Sequence, residues 1–281
     1  MPTQAEKGEL FRKMHEEDGA FVIPNPWDAG TAKVLAGLGF RALATTSSGL
    51  AFALGKSDGA LAVSRDEALA NASDIVAATD LPVSADLENL YADDPEEAAG
   101  TIAMAAEAGL VGCSIEDWSG DRETGIYDID FATERVRAAV AAARALPFTF
   151  TLTARAENLI RGRDDLEDTI ARLKAYEAAG ADVLYAPGLN DVDTIRAVTS
   201  AVNRPVNALA TPANRHLTVA DYVAGGASRI SVGGTLARVA TGAFVAGARE
   251  IAQSGRFDHA GGAASFGELE ALMREGAAND D

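Results

Sequence analysis

Cysteine and histidine are scarce: the 281-residue chain holds one Cys and three His. A lone Cys113 excludes an internal disulfide framework and fits a reducing compartment, so the cytoplasm is the expected location. It sits inside the apolar run "VGCSIED", where a thiol serves as core filler rather than nucleophile. His15 and His259 fall near the two ends and only His216 falls near a loop that could border a site. Neither a Ser-His-Asp or Cys-His device nor a zinc site is therefore expected. Basic charge is also short, with 24 Lys and Arg against 42 Asp and Glu for a net charge of −18. Such a surface repels phosphate backbones and anionic headgroups, which argues against nucleic-acid and membrane partners. No window reaches about 18 uninterrupted apolar residues, and the opening "MPTQAEKGELFRKMHEEDG" is a mixed-charge helical pattern, so neither a span nor a signal peptide is expected.

What is present is a rhythm. Short β-rich runs alternate with alanine-rich amphipathic segments, each switch marked by Gly, Pro, Asp or Asn. The predicted strands cover residues 20–24, 41–47, 81–88, 111–117, 148–155, 181–187, 205–210 and 228–234. Helical punctuation agrees: "DPEEAAG" offers Asp94 as N-cap, Pro95 at the first helical position and acids in the first turn, and "EAAGAD" places Gly after a last turn. Eight βα units in a chain of this length predict an α/β fold, a (β/α)₈ TIM barrel forming one domain over residues 1–281. An open doubly wound sheet is the alternative, weakened by the lack of a "GxGxxG" after the first strand. Residues 1–19 form an N-terminal helix, and residues 254–281 a helical tail with a ragged acidic end, expected to pack on a neighbouring subunit.

In such a barrel, chemistry gathers where strands end and βα loops begin. Strand three ends in "SADLE". Side-chain alternation would send Asp86 and Glu88 to one face, and two carboxylates aimed together need a cation between them or must share a proton. Glu116, at the end of the next strand, would complete a trio whose oxygen-only ligation suits Mg²⁺ or, alternatively, Mn²⁺; the competing explanation is a solvated rim of loop acids. Arg155 ends strand five and either clamps a substrate carboxylate or phosphoryl group or pairs structurally with Glu157 or Glu116. Ser47, Ser48 and Gly49, followed by Leu50, have the parts of an anion nest.

The segments "NPWDAGTAKVLAGLGF", "TTSSGLAFALGKSDG", "VSADLENLY", "GCSIEDW", "TARAEN" and "ASRISVGG" together resemble the isocitrate lyase/phosphoenolpyruvate mutase superfamily, over roughly residues 20–235. The resemblance implies a barrel whose last helix is exchanged between subunits, in a homo-oligomer that is a tetramer or dimer of dimers. It implies Mg²⁺ on Asp86, with Glu88 and Glu116 close by or acting through water. It also implies substrate binding by Ser48, Gly49, Leu50, Arg155 and Asn207, and catalytic roles for Arg155, Glu116 and Asp58 on the loop after strand two. Two segments depart from the family pattern. The loop after strand four, "WSGDRETGIYD", lacks the lysine and cysteine of the C–C lyases' K-[KR]-C-G segment, and "LYAPGLND" lacks the histidine that the mutases carry near strand six.

The expected function is thus a Mg²⁺-dependent lyase acting on a small anionic carboxylate, a 2-oxo or 2-hydroxy di-acid, through an enolate, with oxaloacetate-like decarboxylation or C–C cleavage as the concrete case. Asp121, Arg122 and Tyr127 on the strand-four loop are the candidate proton donors. The alternatives are P–C chemistry, as a phosphoenolpyruvate phosphonomutase or phosphonopyruvate hydrolase, and a non-catalytic 2-oxo-acid or metal-binding scaffold.

Overall fold

The computed structural model describes residues 1–17 and 19–279; Asp280 and Asp281, the last of the acidic end, lie outside them. Eight parallel strands form the sheet: β1 (Phe21–Ile23), β2 (Leu43–Ala44), β3 (Val83–Ala85), β4 (Gly112–Glu116), β5 (Thr151–Arg155), β6 (Val183–Tyr185), β7 (Val206–Leu209) and β8 (Arg229–Ser231). They pair in the order β1-β8-β7-β6-β5-β4-β3-β2. The ring is nearly closed, because the Ala44 N–H donates to the Pro24 carbonyl at 3.1 Å between the two end strands. This is a (β/α)₈ TIM barrel.

Helix α1 (Gln4–Met14) precedes β1. The intervening helices are α2 (Ala29–Gly37), α3 (Ser47–Ala53), α4 (Arg65–Ala78), α5 (Pro95–Glu107), α6 (Ile129–Ala145), α7 (Leu166–Ala179), α8 (Val192–Thr199) and α9 (Val219–Ala224); α10 (Thr235–Ser254) and α11 (Phe266–Glu275) follow β8. Caps set most of these starts. Asp28, Ser64, Asp94, Asp128, Asp165, Asp191 and Thr218 each accept a bond from a first-turn N–H. These bonds satisfy donors that a helix start otherwise leaves orphaned, and the acids also suit the positive end of the helix dipole.

Helix α1 closes the floor, where Phe11 and Met14 pack with Phe21, Ile23 and Val111 in a small cluster separate from the main core between strands and helices. Gly112 permits this closeness, since a Cβ there would stand 2.6 Å from the Thr151 carbonyl oxygen and 3.3 Å from the Phe11 ring. Helix α11 lies against α2. Helix α10 buries only Ala237 and Gly247 within the chain and leaves Val239 and Phe244 exposed. Among the described residues no helix is long and apolar enough to cross a membrane.

The strands are shorter than the apolar runs predicted. The clearest case is β3, which stops at Ala85 because Glu88, Leu90 and Tyr91 adopt left-handed backbone, with φ of 49°, 61° and 60°. Asp86 and Glu88 therefore stand beyond the ladder, and strand alternation does not place them. L residues visit that region at a cost, so packing must hold the turn. The fully buried Leu87 and Leu90 and the Arg135 guanidinium supply it, Arg135 donating to the carbonyls of Asn89, Ala92 and Asp93 and to that of Glu116.

Candidate active site

The C-terminal strand ends and the upper barrel interior enclose a cavity of about 160 Å³. Barrel interiors are usually filled by Val, Ile and Leu. Here Ser84, Ser114, Thr153, Asn207, Ser231 and Arg229 line it from the strands, and Ser47, Ser48, Asp58, Asp86 and Arg155 line its mouth.

Asp86 is the best-anchored acid on this wall. Its Oδ2 accepts from the Ser47 hydroxyl at 2.9 Å and the Ser47 N–H at 3.3 Å, while Oδ1 accepts from Ser114 at 3.3 Å and Arg155 Nη1 at 3.4 Å. Register brings Arg155 beside it: β5 pairs with β4 so that Glu116 faces Arg155, and β6 sets the Tyr185 ring 5.1 Å from the guanidinium carbon. Arg155 Nε donates to Glu157 Oε1, and Nη1 lies 3.4 Å from Glu116 Oε2. Both structural pairings weighed for Arg155 are thus present together with contact to Asp86.

Arg161, on the loop after β5, donates from Nε to Glu157 Oε2 at 2.9 Å and approaches Glu116 Oε1 at 3.6 Å. Its guanidinium carbon also lies 4.4 Å from the Trp118 ring centroid, and the Trp118 indole N–H reaches the Gly59 carbonyl at 3.2 Å. Three loops, after β2, β4 and β5, interlock over the site through this chain.

Charge within the cluster does not balance. If all four were ionised, Asp86, Glu88, Glu116 and Glu157 would bring four negative charges against two positive ones from Arg155 and Arg161, an excess of two. Glu116 is buried and neither of its carboxylate oxygens has a hydrogen-bond partner. Burial, then the charge of Glu157, holds its pKa well above the ordinary carboxylate range. Burial and Asp86 push Glu88 up to about 7. Arg155 moves the other way from its own burial: Glu157 and Glu116 outweigh desolvation and raise its pKa. Asp58, at the mouth, is raised by partial desolvation and by Asp86.

The expected three-carboxylate convergence is not what forms. Among the described residues no group of three or more His, Cys, Asp or Glu side chains is arranged to hold a metal ion. Asp86 opens on the cavity, whereas Glu88 and Glu116 lie behind it. The donor set still suits a hard divalent cation. The two unbonded Glu116 oxygens and the buried negative excess call for positive charge, and Mg²⁺ takes few protein carboxylates while keeping waters and substrate oxygens.

Other expected residues divide. Ser48 and Asn207 line the cavity, the latter donating to Ser231 at 2.9 Å. Gly49 and Leu50 do not: they belong to the first turn of α3, where Thr46 Oγ1 takes the Gly49 N–H and the Thr46 carbonyl takes that of Leu50, so no nest forms. The three loop proton-donor candidates also fall away from the cavity. The Tyr127 hydroxyl donates to Asp93 and accepts from Asn89 at 3.1 Å, Asp121 accepts from Thr124 within its own turn, and Arg122 is exposed. His216 is exposed and lies off the cavity wall. Sequence reasoning overlooked Arg161 and Arg229. The spacing of Glu157 and Arg161 was the available signal for the first; Arg229 begins a strand rather than ending one.

Fold and site together define a (β/α)₈ barrel protein with an acid-rich, arginine-bridged cavity at the C-terminal face of the barrel. A family model described as phosphoenolpyruvate phosphomutase matches residues 11–252, and the chain belongs to that family, within the isocitrate lyase/phosphoenolpyruvate mutase superfamily. A crystal structure from Burkholderia cenocepacia J2315, provisionally named a lyase/mutase, is 54% identical with a TM-score of 0.93 and covers 96% of this chain and 97% of that one. The 2-methylisocitrate lyase of Halalkalibacterium halodurans is 27% identical over 206 residues, 73% of this chain and 67% of the relative. The oxaloacetate decarboxylase of Bradyrhizobium diazoefficiens is 29% identical over 162 residues, 56% of this chain and 58% of the relative.

Proposed function

We propose that this protein is a Mg²⁺-dependent lyase, with Mn²⁺ as the alternative ion, that breaks a C–C bond in a small 2-oxo or 2-hydroxy di-acid, as in decarboxylation of oxaloacetate. The observation that carries this is the side-by-side placement of Asp86 and Arg155 on one cavity wall, backed by a buried Glu116 with no hydrogen-bond partner. Relatives that act as lyase and decarboxylase support the reaction class.

Asp86 is assigned as the direct ligand of the ion, with Glu88 and Glu116 acting through water. When bound, the ion supplies a Lewis acid that polarises the 2-oxo group. The chain's own residues do the rest. Arg155 holds the reacting end of the substrate and offsets the charge that develops as the bond breaks. The Ser48 hydroxyl positions a carboxylate oxygen. Asp58, at the mouth, gives its proton to the carbon that has lost CO₂, in place of the loop residues that point elsewhere. The Trp118 and Arg161 contacts hold the covering loops closed during the step.

The test is a screen of 2-oxo, 2-hydroxy and phosphono acids with Mg²⁺, read by mass detection of products. Pyruvate release from oxaloacetate above the free-metal rate, lost in Asp58→Asn and Asp86→Asn, is the expected result; no turnover of any di-acid overturns the reading. A second reading, P–C bond chemistry, is favoured by the matched family's own description and predicts phosphate or phosphonopyruvate by phosphorus NMR. We further propose that the exposed apolar residues of α10 and its tail, among them Phe244, Phe257 and Phe266, are covered in a homo-oligomer with exchanged last helices. Light scattering that finds a monomer would contradict this.

A further inference from the structure

Arg229 begins β8, in register with Phe21 on one side and Asn207 on the other, so it lies deep in the barrel, below the acid cluster. It is 6% exposed and forms part of the cavity wall. Each nitrogen makes one bond, and every acceptor is neutral: Nε to Asn207 Oδ1 at 2.9 Å, Nη2 to Thr153 Oγ1 at 3.1 Å, and Nη1 to His15 Nε2 at 3.3 Å. His15 accepts there because its Nδ1–H is committed to the Phe11 carbonyl at 2.8 Å. A guanidinium carries five N–H groups. One on each Nη is therefore left without a protein acceptor among the described residues.

The other buried arginines differ. Arg172 is paired with Asp117 and Asp168, and Arg155 with Glu157, Asp86 and Glu116. Arg135 lacks a carboxylate but spends four of its five N–H groups on backbone carbonyls and does not line this cavity. Arg229 alone among these four combines a charge without a counter-ion, unused N–H groups and a cavity to point them into. Burial without an acid lowers its pKa to about 10, which leaves it fully charged near neutral pH. The cavity is thus polarised, cation-seeking at the mouth around Asp86 and anion-seeking at its floor.

We propose that Arg229 is a specificity-determining residue that binds the second anionic group of the substrate, the carboxylate remote from the reacting carbon. Thr153, Asn207 and Ser231 surround that end with hydroxyl and amide groups that orient the carboxylate. A cavity of about 160 Å³ is small beside the roughly 300–1,000 Å³ of drug-sized pockets, so the ligand is a short di-anion rather than an extended one. The proposal rests on the di-acid reading above and sharpens it by assigning the two ends of the molecule to two ends of the cavity.

Calorimetry with Mg²⁺ present tests it by comparing 2-hydroxy di-acids with mono-acids of the same chain length, malate with 2-hydroxybutyrate and 2-hydroxyglutarate with 2-hydroxyvalerate. Wild type should bind the better-fitting di-acid about 10- to 100-fold tighter than its partner, the worth of a charge-assisted bond. Arg229→Gln should remove that difference while leaving mono-acid affinity within about 2-fold, and Arg229→Lys should keep part of it. Equal affinity for both acids in wild type, or an intact Arg229→Gln fold that still discriminates, overturns the proposal. If the variants fail to fold, wild-type crystals soaked in bromide decide: anomalous density against the Arg229 guanidinium supports the anion site and its absence there refutes it. The two readings can also fail separately. Arg229-dependent malate binding without turnover of any di-acid would sink the lyase assignment alone. Di-acid turnover with kcat/KM unchanged in Arg229→Gln would sink this assignment alone.

Discussion

Glu116 and Asp117 are consecutive acids at the end of β4, equally buried, and their surroundings could hardly differ more. Asp117 faces the helices, and its oxygens accept from the Glu157 N–H at 2.8 Å, Arg172 Nη1 at 2.9 Å and the Tyr176 hydroxyl at 2.7 Å. Glu116 faces the barrel interior, where its arginine neighbours stop at 3.4 and 3.6 Å and neither oxygen is hydrogen-bonded. A carboxylate supplied with three good donors is part of the scaffold. One left buried and underbonded holds free energy that a bound cation can recover.

Substitutions should separate the two. The largest effect is expected from Asp86→Asn on the interior side, a loss in kcat on the order of 10³-fold, comparable to removing a key electrostatic contact, with an unchanged unfolding midpoint. A steady-state assay alongside urea denaturation checks both parts. On the helix side, Arg172→Met leaves Asp117 buried without its cation and should cost about 3–5 kcal/mol in urea unfolding. The Arg172 bonds to the Tyr127 carbonyl and Asp168 go with it, while the cavity lining is untouched.

Glu116→Gln should do the reverse of Arg172→Met. The folded-state pKa of Glu116 is raised, so the ionised group costs stability above its unfolded value of about 4.5, and that cost grows as pH rises. With chelator present, Gln should therefore stabilise by about 1–2 kcal/mol at pH 7 and by less near pH 4. Added Mg²⁺ should favour wild type and erase the gain. Thermal melts at two pH values, with and without metal, would show a destabilised variant throughout if Glu116 were scaffold like Asp117.

Near neutral pH the smallest effect is expected at a buried group whose satisfied form is neutral, and it grows only on acidification. Burial, then Arg229, lowers the pKa of His15 from 6.5 to about 3. The unfolded chain takes up a proton below about pH 6.5 that the folded chain refuses, so stability falls with falling pH across the window from 6.5 to 3. The slope should approach about 1.4 kcal/mol per pH unit for one proton. His15→Asn should flatten the pH dependence of the urea midpoint in that window; an identical slope in both proteins would contradict it.

Much of this was legible in the sequence. The eight βα units and their caps were readable because local chemistry sets them, and Asp86 and Arg155 because strand ends in a barrel converge; Asn207, second in β7 and in register with Arg229, came with the family resemblance instead. Glu88 was misplaced because alternation holds only inside a ladder, and left-handed backbone from residue 88 onward breaks it. Gly49 and Leu50 looked like a nest because nothing local announces that Thr46 caps a helix there. Tyr127 and Asp121 were drawn toward the site by loop position alone, yet Asn89, Asp93 and Thr124 occupy them. Arg161 and Arg229 escaped because their importance depends on what the closed barrel places around them, which no short window contains.

The most direct test of the central claim is calorimetric titration of Mg²⁺ and Mn²⁺ into chelator-treated protein, wild type beside Asp86→Asn. Saturable, stoichiometric binding to wild type that is lost in a folded Asp86→Asn variant is the predicted result. Unchanged binding in the variant would contradict an ion site centred on Asp86, and with it the assignment of the interior acid cluster to catalysis.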